Sequence, residues 1–428
     1  MALSPLKSDK KDRKQSERKN TAENRTPDGP QINEYYIRLS TRYKVAKFSS
    51  MLSLILFILF MVTSFREEIT VENLRYFLRY IDTRQPDAAE GSDRIQHETE
   101  SVIDMGLYKG SLAVVGNESV SLYDMQGDTL LSVSKTNSSP ILLTSDKYIL
   151  VYNAGGNSFQ IYSTVSCLYE DTFDYAISCA ALNDNGMFLI ATKSREYKSV
   201  VHVYDKDFRD IYHWSSPDKY VAAADIKNND KEFVIAAFGT TQSGDYYTEI
   251  LVCETGAEEK KAQFRIENAM PLSVSYTARG GFVLFCDTGF YFYNESCELI
   301  KTVEFSGEIP VRAETVGDYS YYAMNKNVVG STHDVTVLDD TGNILFAGQI
   351  DGEITDSVLC ADAAYFLLER EVVRAAYQTQ QIISKTVTAG AMKIMASDDS
   401  TLLICRQSQS EILDVDEYFF GTDETVTE

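Results

Sequence analysis

The sequence predicts an all-β ectodomain, a β-propeller of about eight four-stranded blades, preceded by a transmembrane helix and a short amphipathic helix. Three observations carry this. A hairpin pattern recurs along the chain at a period of about 40 residues. Short alternating runs of β-branched and aromatic residues are separated by Gly, Asn and Asp turns. Ahead of them lies a single uncharged apolar run, with charge of opposite sign on its two sides.

The hairpin reads SVSLYDMQGDTLLS, SFQIYSTVSCLYE, VVHVYDKDFRDIY, EILVCETGAEEKK, FYFYNESCELIKT, VTVLDDTGNILFA, VVRAAYQTQQIIS and EILDVDEYF. The residue before each turn is Tyr123, Tyr162, Tyr204, Cys253, Tyr293, Leu338, Ala376 and Leu413, at spacings of 39, 42, 49, 40, 45, 38 and 37. Two further strands precede each hairpin, as in AISCAALNDNGMFLIAT and LSVSYTARGGFVLFCD. Small residues fill the first of these, as a crowded central axis requires. Four strands per unit at this period is the signature of propeller blades. No long amphipathic helix interrupts the strands, which excludes Rossmann and α/β-barrel plans. Eight anchors imply eight blades; a seven-bladed ring with one unit misread is the alternative. The last unit, residues 391–414, supplies only three clear strands. The segment Arg94 to Glu98 is therefore expected to provide its outer strand and close the ring, removing the exposed edges. The turn Asn183-Asp184-Asn185-Gly186 is expected to be a bulged hairpin, not a cation site.

The apolar run is Phe48 to Phe65, FSSMLSLILFILFMVTSF, without Asp, Glu, Lys, Arg or Pro. A helix of about 20 such residues crosses a bilayer's hydrocarbon core. Residues 1–47 hold 12 Lys/Arg against 6 Asp/Glu, and the remainder holds 28 against 57. The positive-inside rule places the N-terminus in the cytoplasm and the acidic remainder outside. A cleaved signal peptide competes with this, but its apolar core is usually about 7–15 residues and ends in a small-residue site. Here the run ends Met-Val-Thr-Ser-Phe-Arg. Lys44 and Lys47 are placed to snorkel to lipid phosphates, and Phe48, Leu54, Phe57, Phe60 and Phe65 to anchor the span. The expected organisation is a disordered basic tail (1–34), a juxtamembrane segment (35–47), the span (48–65), an amphipathic helix (66–82), a linker (83–94), the propeller (95–420) and an acidic tail (421–428). The amphipathic helix presents Ile69, Leu74, Phe77, Leu78 and Ile81 on one face, against either the propeller or the outer membrane surface.

No motif assigns catalysis. GxSxG, Walker A and Rossmann fingerprints are missing. Carboxylates are too numerous for a catalytic pair to be picked out. The seven cysteines are odd in number and include no CxxC, so free thiols are expected. Of the four histidines, His202 and His213 fall on neighbouring strands of one blade. They are taken as ordinary sheet histidines in preference to a zinc or copper pair. The chain is thus expected to hold no metal and no cofactor. The acidic balance beyond residue 47 argues against nucleic acid as a partner.

Binding is expected at one rim. The link from second to third strand is short in most blades, as in Asn117-Glu118, Asp287-Thr288 and Gln407-Ser408. It is long in three: Lys193 to Ser199, Phe238 to Tyr247 and Asn325 to Thr332. All three open on the same rim. Arg195, Tyr197, Tyr246, Tyr247, Asn325 and Lys326 are the residues proposed to contact a partner, and neutral insertion is the alternative.

The basic tail, single span, amphipathic helix and degenerate propeller repeats together resemble an uncharacterised family of single-span envelope proteins of Clostridia-like Firmicutes, with a domain of unknown function. The propeller itself resembles the quinoprotein-dehydrogenase-like and WD40-like superfamilies in fold. The quinone-dependent enzymes carry a tryptophan docking motif in most blades, whereas this chain has only Trp214. Sialidase-like Asp boxes are missing as well. The resemblance implies no known activity. The function expected is a membrane-anchored, non-enzymatic extracellular binding or scaffold module that holds an envelope protein or glycan. An envelope enzyme acting on glycans and a single-span sensor signalling through the basic tail are the alternatives.

Overall fold

The computed structural model describes residues 29–64, 94–97, 101–135, 138–257, 259–305, 307–326 and 331–421. The expected amphipathic helix 66–82, the body of the linker, the first 28 residues of the basic tail, Phe65 and residues 422–428 lie outside the described residues.

Eight four-stranded antiparallel sheets form the propeller. Blade 1 runs Val102–Tyr108, Ser111–Gly116, Ser119–Tyr123 and Thr129–Ser134. The same order repeats in blades that open at Pro140, Cys179, Tyr220, Pro271, Arg312 and Asp356, and an eighth blade opens at Ala391 with three consecutive strands. All eight anchor residues fall within one residue of the end of a third strand. The second strands Ile149–Asn153, Phe188–Thr192, Phe282–Cys286 and Ala363–Leu367 are buried at every residue. A strand covered on both faces needs a continuous apolar run, which is how these segments read. Fourth strands such as Ala262–Glu267 alternate, because one face meets solvent.

Among the described residues the buried side chains fall into eight apolar clusters, each straddling two neighbouring blades. Phe159 and Ile161 of blade 2, for instance, meet Phe188 and Ile190 of blade 3. Cohesion therefore runs around the ring and not outward from one centre. The ring closes where Ile95, Met395 and Leu403 pack with Leu112 and Val114 of blade 1.

The turn between third and fourth strands has one recurring mechanism. Asp124 Oδ1 accepts the N–H groups of Gln126 and Asp128 at 3.0 and 2.8 Å. Asp205 and Asp339 do the same in blades 3 and 6, and Asn294 accepts from Glu298 in blade 5. Three residues after each of these, the backbone turns left-handed at Gly127, Phe208, Cys297 and Gly342, with φ of +89°, +65°, +61° and +79°. The register then shifts by one residue. This is a bulged hairpin set by an Asx turn.

Blade 8 takes its outer strand from upstream, as expected. Arg94, Ile95 and Gln96 pair with Glu411, Ser410 and Gln409. Arg94 also bridges Glu411 at 3.1 Å, and Ile95 has no exposed surface. The last hairpin pattern, EILDVDEYF, is not a hairpin. Asp414 caps a short helix, Val415–Phe420, by accepting the Glu417 N–H at 2.9 Å. Phe419 is buried against Tyr365, with ring centroids 5.8 Å apart, and Tyr418 donates to the Thr386 carbonyl. The helix thereby plugs the gap between blades 7 and 8.

Helix α1 spans Gly29–Ser64 and begins inside the segment expected to be disordered. Lys44, Lys47, Phe48, Leu54, Phe57 and Phe60 are all exposed on it. Among the described residues no helix is long and apolar enough to cross a membrane. The run expected to do so continues into residues 61–65, whose side chains are not among those described.

Candidate functional site

On the rim formed by the links between second and third strands, two of the three segments expected to be long loops are described in full. Residues 193–198 fold into a compact turn. The Ser194 hydroxyl accepts the Glu196 and Tyr197 N–H groups at 3.3 and 3.0 Å, and the Ser194 N–H donates to the Tyr197 carbonyl. Arg195 and Tyr197 stand exposed on it.

The blade-4 segment is not a loop. Thr240, Gly239 and Phe238 pair with Tyr246, Tyr247 and Thr248, so the two strands run on into a tight turn at 241–245. The pairing gives the two tyrosines opposite faces. Tyr246 is exposed. Tyr247 is buried, with the Arg265 guanidinium 3.3 Å from its ring centre and Gly239 against its other side, so it is not available to a partner. Period-two alternation is the reason adjacent tyrosines differ. In blade 6, Asn325 pairs with His333 at a strand end, and Lys326 Nζ donates to Gln349 Oε1 at 2.6 Å. Both are exposed, and residues 327–330 between them and Thr332 are outside the described set.

The rim also carries residues that sequence reasoning did not single out. Inner strands of blades 1, 5 and 8 contain a one-residue register shift near their first residue. It turns out Ile103, Leu272 and Met392, which are 41%, 49% and 41% exposed. Met105, Val274 and Ile394, two residues further along, are buried. Strict alternation would put each such pair on one face, so no pattern in the sequence reveals the bulge. Bulges commonly re-aim a side chain in this way. Tyr220, Met270, Ile309 and Val311 are also exposed at or just before the inner strands of blades 4, 5 and 6. Tyr220 stacks on Phe238 at 5.4 Å, and Lys198 sits 4.8 Å from its ring centre.

A second cluster lies on the outer strands of blade 3. His202 and His213 are direct cross-strand partners. His202 Nδ1 lies 3.2 Å from His213 Nε2, and both face Asp210 Oδ2, at 3.3 and 2.6 Å. Burial holds the His202 pKa below the usual imidazole value against the opposing pull of Asp210. Asp210 was not singled out from sequence. Among the described residues this is the one group of three side chains able to converge on a cation.

All seven cysteines are free. Burial pushes the thiols of Cys253, Cys360 and Cys405 up to about 11, and those of Cys179 and Cys286 to about 12, so none of the five is a ready thiolate nucleophile.

The fold is an eight-bladed β-propeller of four-stranded antiparallel blades. The profile of a family of unknown function, DUF5711, matches residues 83–414, and the chain belongs to that family. No curated protein matches its sequence. Among solved structures it is similar to Sqt1 of Saccharomyces cerevisiae (TM-score 0.56, 10% identity, covering 75% of this chain and 98% of that one). It is also similar to BamB of Moraxella catarrhalis (TM-score 0.51, 9% identity, 75% and 98%). A third likeness is to apo AztD of Citrobacter koseri (TM-score 0.51, 12% identity, 72% and 92%). At these identities the likeness is one of fold.

Proposed function

We propose that the chain is a membrane-anchored extracellular β-propeller that acts as a non-enzymatic binding or scaffold module of the cell envelope, holding a partner protein on the rim of the second-to-third strand links. The observation that carries this is the set of exposed apolar and aromatic side chains there, Ile103, Tyr220, Tyr246, Leu272, Ile309 and Met392 among them, bordered by Arg195 and Tyr197. Aromatic residues, Met and Arg are enriched at interfaces. Aliphatic side chains favour a protein over a glycan, because they offer nothing to sugar hydroxyls.

The anchor rests on the uncharged run Phe48 to Phe65, on the charge asymmetry around it, and on exposed apolar side chains around α1 from Phe48 to Phe60. An apolar surface of that kind calls for lipid or a partner helix to cover it. External protease on intact cells is expected to remove the propeller and leave residues 1–47 protected. A mature N-terminus near Phe65 would mean a cleaved signal.

The rim is tested by capturing the partner with the intact chain from its own membranes and measuring four variants side by side. Arg195→Ala and Tyr246→Ala are each expected to weaken capture by about 1–2 kcal/mol, the usual range for interface anchors. Asn185→Ala and Gln126→Ala, exposed on the opposite rim, are expected to leave it unchanged. Equal binding by all four variants would remove the rim as the site.

A further inference from the structure

We propose that His202, Asp210 and His213 form a binding site for a late first-row divalent cation, with zinc the ion this donor set favours. The argument begins with the bulge in the blade-3 hairpin. Asp210 and His213 are three residues apart, so in a regular strand they would face opposite sides. Tyr204 pairs with Asp210 but Val203 pairs with Tyr212, leaving Ile211 as the extra residue. That single insertion returns Asp210 to the face that carries His213 and its partner His202. The Asx turn at Asp205, with Phe208 at a φ of +65°, sets the insertion in place.

The resulting triangle has edges of 3.3, 3.2 and 2.6 Å. Tetrahedral zinc with bonds of about 2.0–2.1 Å holds its ligand atoms about 3.3 Å apart. Two edges already have that length. The third, an imidazole–carboxylate hydrogen bond, widens by roughly 0.6–0.7 Å to reach the same value. Two imidazole nitrogens converge on one carboxylate oxygen and on each other, so at most one of the two carries a proton into the 3.2 Å gap and the other presents a lone pair. A cation accepts all three lone pairs at once. Two imidazoles and one carboxylate suit zinc, copper or nickel over magnesium or calcium.

The surroundings fit an exchangeable site. The Phe173 ring, 4.9 Å from His202, walls one side, and the charge of Asp171 on the outer strand of blade 2 reaches His202. His213 is 59% exposed and Asp210 33%, which leaves the fourth position open to water or an incoming ligand. Three protein ligands and an open position differ from the four-ligand closure of structural zinc sites.

The test uses the full-length chain, stripped by chelator and with its thiols alkylated, because free cysteines also take zinc. Zinc is titrated by calorimetry, and cobalt(II) by its visible absorption. One equivalent of each is expected, with a tetrahedral or five-coordinate cobalt band and no thiolate charge-transfer band. His202→Ala, Asp210→Asn and His213→Gln are each expected to weaken zinc binding at least tenfold. His213→Gln carries the decision, because that side chain is exposed and its replacement is not expected to disturb the sheet, as circular dichroism will verify. No saturable zinc binding in the wild-type chain, or undiminished binding in a folded His213→Gln variant, overturns the proposal.

Discussion

Blade 4 and blade 8 are built on the same four-stranded plan and are held together in different ways. In blade 4 the two middle strands, Glu232–Thr240 and Tyr246–Glu254, pair along their full length. A buried charge sits at one end. Glu232 lies beside Lys261, accepts the Tyr276 hydroxyl of blade 5 at 3.2 Å, and has Lys227 at 3.9 Å. Burial works against the Lys261 ammonium, but Glu232 outweighs it and holds the Lys261 pKa above its ordinary value. Blade 8 borrows its outer strand from far upstream, and only Arg94, Ile95 and Gln96 pair. Blade 4 is one continuous piece of chain with a charged network at one end; the outer strand of blade 8 is a seam between distant segments, held by its pairing, by buried Ile95 and His97, whose N–H donates to the Ser408 carbonyl, and by the Arg94–Glu411 ion pair. Local continuity fixes a blade's strand pairing without help from a distant segment. A seam depends on the ring being closed.

The comparison is broken hardest at Glu232. Glu232→Ala leaves a lysine near a buried site without its partner, and the expected loss is about 3–5 kcal/mol, read from chemical denaturation. A loss below about 1 kcal/mol would show that the network is exposed to solvent screening and contributes little. Ile95→Ala tests the seam. Truncating a fully buried isoleucine is expected to cost about 2–4 kcal/mol. Hydrogen exchange sharpens this one: amides that pair across 94–96 and 409–411 are expected to open before those of blade 4 in the wild type. Equal protection in the two blades would mean that the seam is no weaker than a continuous hairpin.

The smallest effect is a pH dependence in blade 4. Asp225, on the inner strand, accepts N–H groups from Tyr276 at 2.7 Å and Ile226 at 2.8 Å. Burial nonetheless pushes its pKa from 3.8 to about 6, with the charge of Asp184 adding to the shift. The folded state therefore binds this proton more readily than the unfolded one. The stability it contributes is complete below about pH 4 and is lost as pH rises through about 6. Asp225→Asn is expected to flatten melting temperature against pH over that window, while blade-8 variants keep the wild-type slope. An unchanged slope in Asp225→Asn would assign the dependence to other carboxylates.

The sequence made the repeat legible because a blade is a local object. Its third strand ends at a fixed hydrophobic residue, Tyr123 in blade 1 and Ala376 in blade 7, and its second strand is apolar on both faces. The spacing of those residues counted the blades, and the strand deficit after Ala391 pointed to Arg94 as the closing segment. The rim was legible in part. Arg195 and Tyr197 stand out on a surface turn as expected. Tyr247 does not, because strand pairing continues past Phe238 and turns it inward under Arg265. Ile103, Leu272 and Met392 escaped notice because each sits beside a register shift.

By itself, then, the sequence determined what depends on neighbours along the chain: strand periodicity, turn chemistry, the number of units and the charge asymmetry around the apolar run. Tertiary structure alone decided which face each side chain takes near a bulge, and hence the exposed rim and the meeting of Asp210 with His202 and His213. The physical reason is the period of two. One extra residue, chosen by the partner strand and the turn, moves every following side chain to the other face.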